Sequence, residues 1–405
     1  MAIPPYKSPA RNAYDIVIVG GAVIGSSTAY WLSQAAGAGL SILVVERDSS
    51  YEFSSTALST SAIRQQYSNP INVLISQFGV EFIRGFRERM APFYPDEPSP
   101  DLGFREHGYL FCIPPEGVEA ALARVDMQRS LGAHTVFLSP GEIKERFPWV
   151  NVDDLGGGSW GAEAEGWFDS MGLLNGFRRA ARAGGVHYID NAVTGLDVEG
   201  GRVVAATLST GERIACGTLV NAAGPRARLV ARMAGLDIPV EPRKRYSFVF
   251  ASATPIPGRM PNVIDKTGTF VRPEGELFLT GNTPLDDGPA DYDDFNMCHE
   301  EFEERIWPAL WHRIPAFDSL RVMQRWTGHF EYNSLDHNGI VGFHPQVRNF
   351  MFANGFSGHG LQQSPAAGRA VSELILYGAF CTLDLSPFGY ARIAANEPFL
   401  EEAVI

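Results

Sequence analysis

The first strong pattern along the chain is a short apolar block, Asp15 to Val19. Glycines follow at once, and then apolar residues at helical spacing (Ala29, Tyr30, Leu32) between Gly25 and Gln34. β-Branched residues dominate this block, and neither it nor a second one at Ser41 to Val45 alternates with polar residues, as strands covered on both faces do. Strand, glycine turn, helix and strand in that order predict a parallel β-α-β unit with a right-handed crossover, the helix ended by Gly37 and Gly39. No residue from Ile16 to Val45 is charged, a run that on length alone admits a membrane span. Five glycines and two polar runs within it favour the folded unit.

Further along, Ile71, Leu74, Ile75, Phe78, Phe82 and Phe86 recur at three- and four-residue steps and predict an amphipathic helix from Pro70 to Met90. Pro92, Pro95, Pro98 and Pro100 mark the exit from it and a domain crossing. Ser170 to Ala183 reads as a helix stopped by Gly184 and Gly185. Val193 to Glu199 and Arg202 to Ser209 read as a hairpin about Gly200 and Gly201. The Val-, Phe- and Thr-rich stretch from Pro242 to Gly281 predicts an antiparallel sheet, and Ala366 to Tyr377 a late helix. At 405 residues, 45% of them hydrophobic, the chain is long enough for two domains or for one with a large insertion.

Charge and cysteine usage narrow the function. Lys and Arg total 33 against 46 Asp and Glu, a formal charge of -13, which repels a nucleic-acid backbone. The four cysteines, Cys112, Cys216, Cys298 and Cys381, form no CxxC pair, so neither a disulfide framework nor a metal site is expected. The opening residues MAIPPYKSPARN carry three prolines and no apolar stretch of a secretory signal. The expectation is a cytoplasmic protein with no transmembrane segment, with peripheral membrane association left open.

The turn after the first strand, Gly20-Gly21-Ala22-Val23-Ile24-Gly25, fits G-x-G-x-x-G with Ala22 at the middle glycine. Gly20 permits the tight turn, a small residue at 22 lets backbone approach a pyrophosphate, and Gly25 permits close helix packing. The free amides that open the helix suit phosphate. Glu46, at the end of the second strand, is placed to accept ribose hydroxyls and disfavours a 2′-phosphate, which leaves FAD or NAD.

Four segments resemble the D-amino-acid oxidase, glycine oxidase and sarcosine oxidase family of flavoproteins: YDIVIVGGAVIGSSTAYWL, SSTALSTSAIRQQYSNP, LVNAAGPRA and NGFSGHGLQQSPAAGRAVSEL. The resemblance runs over nearly the whole length and is closest to sarcosine- and dimethylglycine-type members and to FAD-dependent oxidoreductase-domain proteins. It implies an α/β fold: a Rossmann-like FAD-binding domain from 13–95, 165–232 and 333–392, and a discontinuous α+β cap domain from 96–164 and 233–332 built on an antiparallel sheet. FAD is the implied cofactor. Besides the turn and Glu46, its candidate contacts are Arg47, the hydroxyl-rich loop Ser54, Ser55, Thr56, Ser59 and Thr60, then Val193, Ala222 and Gly224, and finally Gly355, Gly358, His359, Gly360 and Gln362. By resemblance Arg64 lies beside the flavin ring, where a permanent cation favours the reduced flavin and attracts a carboxylate. Tyr67 and Tyr246 are candidates for the cavity wall. In the run Arg243-Lys244-Arg245-Tyr246, strand alternation turns either Lys244 and Tyr246 or Arg243 and Arg245 toward the site.

Departures from the family also matter. In RWTGHFEYNSLDHNGIVG (325–342) the position resembling glycine oxidase's carboxylate-clamping arginine holds Phe330, and the one resembling the flavin-linking cysteine of sarcosine oxidases holds His329. The expectation is therefore noncovalent FAD and oxidation of a C–N bond in a small amine-bearing carboxylate, such as sarcosine, dimethylglycine or iminodiacetate. Hydride would pass to flavin N5 and water would hydrolyse the imine. Arg64, Lys244, Arg245 and Tyr246 are the substrate-binding candidates; Arg64, Tyr67, Tyr246, His329 and His359 are the catalytic ones. Electrons would leave to oxygen or to a quinone or electron-transfer partner. The alternative is an electron-transfer or assembly partner in which FAD is mainly structural.

Overall fold

The computed structural model describes residues 6–36 and 39–403. Gly37, expected to end the first helix, lies outside them, as do the first five residues. The first strand is Ala13–Val19, the helix Val23–Ala36 and the second strand Ile42–Glu46, with the two strands parallel. The helix begins two residues earlier than expected, because Val23 and Ile24 already join its first turn.

Among the described residues, the strands form two eight-stranded sheets and one two-stranded ribbon. In the first sheet Phe350–Asn354, Arg213–Asn221, Ala13–Val19, Ile42–Glu46 and His187–Asp190 run parallel in that spatial order, and Ile340–Phe343 pairs antiparallel at one edge. Ile16 and Ile18 pack into the core on one face, Val17 and Val19 into that on the other, which explains the absence of polar alternation. The expected hairpin forms as Val193–Glu199 and Arg202–Leu208.

In the second sheet Leu320–Asn333, Val240–Ser252, Leu277–Asn282, Phe270–Glu274 and Asn262–Ile264 pair antiparallel in that order. Tyr109–Ile113 then joins Asn262–Ile264 in parallel, so the sheet is mixed at one seam. Every strand of the first sheet falls within 13–95, 165–232 and 333–392, and every strand of the second within 96–164 and 233–332 except that Leu320–Asn333 runs one residue beyond.

Two further helices differ from expectation. The helix at Pro70 stops at Arg84, where Gly85 interrupts it before the short helix Phe86–Met90. The late helix starts at Gly360, six residues early, and holds Pro365 inside it. Proline frees the carbonyl of Leu361, and the Ser364 hydroxyl takes it at 2.8 Å. The carbonyls of Ser364 and Pro365 receive Ser27 Oγ at 2.7 Å and Trp31 Nε1 at 2.9 Å from Val23–Ala36, locking the two helices together. No helix among the described residues is long and apolar enough to cross a membrane.

Candidate active site

One cavity of about 340 Å³ runs from the glycine turn to the underside of the second sheet. At its outer end Gly20 has φ +99°, and a Cβ there would lie 2.3 Å from the carbonyl oxygen of Ala222. Only glycine fits. Gly20, Ala22, Val23 and Ile24 line the cavity, whereas Gly25, expected to do so, does not. Its Cα faces the carbonyl of Gly20, 1.9 Å from where a Cβ would stand, so its role is packing.

Glu46 accepts Gly21 N–H at 2.7 Å through one oxygen and Asp48 N–H at 2.9 Å through the other. Burial pushes its carboxyl up, opposed by these two donors. The hydroxyl of Tyr51, also in the lining, is buried with no hydrogen-bond partner. A cradle that a Cβ would fill, a carboxylate at the strand end and an orphaned hydroxyl fit the ribose and pyrophosphate of a dinucleotide. Arg47, Val193, Ala222 and Gly224 complete this part of the wall.

Ser54, Ser55, Thr56, Ser59 and Thr60 line the middle. Their hydroxyls are partly engaged: Thr56 Oγ1 accepts Val23 N–H at 3.3 Å at the helix start, and Ser55 Oγ donates to the His329 carbonyl at 2.6 Å. At the opposite wall are Gly358, His359, Gly360 and Gln362. Because the helix begins at Gly360, its first amides open here. Gly355 is not in the lining; its N–H donates to Glu331 Oε2 at 3.1 Å.

Arg64 borders the inner end and is 3% exposed. Its guanidinium donates to the carbonyls of Gln66 and Ala403, stands 3.3 Å from His359 Nε2, and lies 4.0 Å over the Tyr67 ring. The Arg64 backbone N–H donates to Gln362 Oε1 at 2.9 Å. Burial, and after it the Arg64 charge, push His359 down to about 3, so its imidazole is neutral. Tyr67 was expected on the wall but sits behind Arg64, fully buried, with Gln362 Nε2 donating to its hydroxyl.

The alternation expected at 243–246 does not sort the strand. The cavity touches Arg245, Tyr246 and Ser247 in succession, and Lys244 is left out. Lys244 Nζ is held by Asp294 at 2.5 Å, which removes it from the site. Arg245 pairs with Asp287 at 2.5 Å and lies over Phe330, yet its Nε is buried without a partner. His329 lines the cavity, stacked on Phe295 with centroids 4.3 Å apart, its Nε2 2.8 Å from the Asp294 carbonyl.

An acidic loop, 284–297, covers this side. Asp287 holds Arg243 and Arg245, Asp293 holds Arg47 and Arg226, and Asp294 holds Lys244, while Tyr292 and Phe295 reach the lining.

Tyr109, Asn262, Phe270, Asn282 and Glu331 also line the inner chamber. They were missed because the first four come from strands far from any motif. Glu331 alone carried a signal, as the residue after His329 and Phe330 in the segment that resembles the family. Its carboxyl is pushed up to about 7 by burial. Asn262 lines the chamber beside Tyr109 and Phe270, and its Oδ1 is buried with no hydrogen-bond partner. No cysteine lines the cavity, and the described residues hold no cluster of His, Cys, Asp and Glu suited to a metal.

A family model described as FAD dependent oxidoreductase (DAO) matches residues 15–374. The chain is 39% identical to FAD-dependent oxidoreductase domain-containing protein 1 of Xenopus laevis, over 99% of its own length and 87% of the other's. It is 26% identical to mitochondrial sarcosine dehydrogenase of Mus musculus, over 92% of this chain and 40% of that one. L-Proline dehydrogenase from P. horikoshii superposes with a TM-score of 0.83 at 25% identity, covering 96% of this chain and 99% of that structure.

Proposed function

The chain belongs to the FAD dependent oxidoreductase family, and from that premise we propose that it oxidises the C–N bond of a small secondary or tertiary amine bearing a carboxylate. The observation that carries this reading is the continuous cavity from the glycine turn to a chamber holding a buried arginine, a neutral histidine and an unpartnered amide oxygen. Residues 13–95, 165–232 and 333–392 form the cofactor domain in this reading, and 96–164 with 233–332 the cap. Gly20, Ala22, Glu46, the 54–60 loop and Gly358 to Gln362 hold FAD, which when bound supplies a two-electron acceptor. Attachment is noncovalent, because no cysteine lines the cavity and His329 is tied to the Asp294 carbonyl.

Arg64 offers a permanent cation to the substrate carboxylate, and Asn262 Oδ1 an acceptor for the N–H of a secondary amine. Neutral His359 leaves Arg64 as the positive group beside it, so the pair favours an anion. The aromatic walls Tyr109, Tyr246 and Phe270 exclude water and hold the C–H in place, and positioning of that kind accounts for a large part of such a rate. The neutral amine gives up a hydride from the carbon next to nitrogen, which leaves an iminium ion; water adds to that carbon, loses a proton, and the C–N bond breaks to give a carbonyl compound and the amine. The names of the sarcosine and proline dehydrogenases support this substrate class.

The test is anaerobic mixing of the FAD-loaded protein with sarcosine, dimethylglycine, iminodiacetate and proline while flavin absorbance is followed. Bleaching by at least one, and none by its decarboxylated analogue, is expected. No bleaching by any amine would leave an electron-transfer or assembly role as the better reading.

A further inference from the structure

We infer that the segment Phe399–Ala403 completes the active site, with Glu401 as a positioning residue that acts through Arg64. Glu401 is fully buried although it lies far along the chain from the cavity motifs. Its carboxylate accepts the N–H of Ser68 at 2.8 Å and of Asn69 at 3.1 Å, the Ser68 hydroxyl at 2.6 Å, and Asn72 Nδ2 at 2.8 Å.

These donors surround the start of the helix Pro70–Arg84. Its N-cap, Asn69, makes no side-chain cap hydrogen bond of its own. Glu401 therefore accepts the N–H of the N-cap residue itself, the bond that an acidic N3 residue makes in a capping box and that Asn72 does not supply here, and its negative charge meets the positive end of the helix dipole. The many donors hold its carboxyl below the usual carboxylate range despite burial, so it is ionised at neutral pH.

The capped segment is the one that leads out of Arg64. Two residues beyond Glu401, the carbonyl of Ala403 accepts the Arg64 guanidinium directly, opposite the carbonyl of Gln66. The segment is itself pinned to the fold: Asp336 Oδ2 accepts Phe399 N–H at 3.0 Å, the Asp336 carbonyl accepts Glu401 N–H at 2.9 Å, and the Glu401 carbonyl meets His337 Nδ1 at 2.9 Å. Arg392 holds Asp336 in turn at 2.6 Å. One short segment thus fixes both the backbone after Arg64 and the direction of its charged group. Without it, two of the donors on a buried cation would lose their geometry.

This inference rests on Arg64 meeting a carboxylate, as proposed above, and the test separates the two. Pyrrole-2-carboxylate is titrated into FAD-loaded wild type, Glu401→Gln, Glu401→Ala, Arg64→Ala and the Arg64→Ala, Glu401→Ala double variant, with the visible flavin spectrum as readout. Backbone hydrogen exchange of residues 64–72 is measured on the same samples. The expected result is a Kd raised at least tenfold by Glu401→Ala, less by Glu401→Gln, no further loss when Arg64 is already alanine, and faster exchange across 64–72. Independent, multiplying losses or unchanged exchange in both Glu401 variants would overturn the inference. If wild type binds no carboxylate, the substrate reading falls, and the exchange alone decides the role of Glu401.

Discussion

Glu46 accepts the backbone N–H of Gly21 at 2.7 Å, so the acidic end of the second strand is tied to the glycine turn it faces across the cavity mouth. The carboxylate thus holds the turn in shape, and in the proposed cofactor site it would also face a ribose. Glu46→Arg removes both hydrogen bonds and adds a cation, and FAD affinity is expected to fall on the order of 100-fold. Glu46→Gln keeps one acceptor and is expected to lose much less. Flavin content at purification and titration of apoprotein with FAD check both; full retention in the arginine variant would displace the cofactor site.

Gly25 is a packing residue, so Gly25→Ala should act on the fold. Its new methyl meets the Gly20 carbonyl, and the expected cost is about 1–3 kcal/mol, seen as a lower Tm with flavin lost alongside. Ala22→Gly changes neither. Equal behaviour of the two variants would show that the turn has slack that the structure does not display.

Arg64→Ala is expected to reduce kcat/KM for a carboxylated amine about 30-fold or more, since truncating a buried charge partner commonly costs about 2–5 kcal/mol. Arg64→Lys recovers only part, because an ammonium cannot reach two carbonyls and a histidine in one plane. The decisive comparison is the acid against its amide. Equal losses on both would mean that Arg64 does not meet the carboxylate.

The acidic loop predicts a salt-sensitive lid. Asp293 joins Arg47 and Arg226, two residues of the cavity wall, through pairs that are partly exposed and so are screened by salt. FAD release should quicken several-fold between low and high salt in wild type. In Asp293→Asn it should be fast at both. Release that is independent of salt and of Asp293 would exclude the loop as a lid.

Glu331 and Glu165 are both pushed up to about 7 by burial. Each keeps its proton in the native state over a range where the unfolded chain has released it, so stability is greatest below the usual carboxylate range and declines as pH rises toward 7. The expected loss is on the order of 1–3 kcal/mol per group. Tm should therefore be lower at pH 8 than at pH 6, and Glu331→Gln should flatten that slope in part. A Tm that rises across this interval would mean that the two acids are already ionised.

The parallel β-α-β unit, the glycine turn, Glu46, the hydroxyl loop and the FSGHG segment were legible in the sequence, because each depends on neighbours close along the chain. Apolar runs without alternation report burial on both faces, and a glycine beside a turn reports a steric need; both are local facts. The motif wording likewise pointed to Arg64 and His359.

Everything that depends on which distant residue faces which was decided by the tertiary structure. Lys244 and Arg245 are adjacent basic residues, yet Asp294 draws one away and the cavity keeps the other. Tyr67 and Tyr109 are both buried tyrosines, but only Tyr109 reaches the chamber wall. Gly360 opens its helix early because Ser364, and from far along the chain the helix Val23–Ala36, satisfy the backbone around Pro365. Glu401 reads as one acid among many near the end of the sequence. It is brought to Arg64 only because the folded chain places the backbone N–H groups of Ser68 and Asn69, just ahead of the helix, within hydrogen-bond reach of its carboxylate.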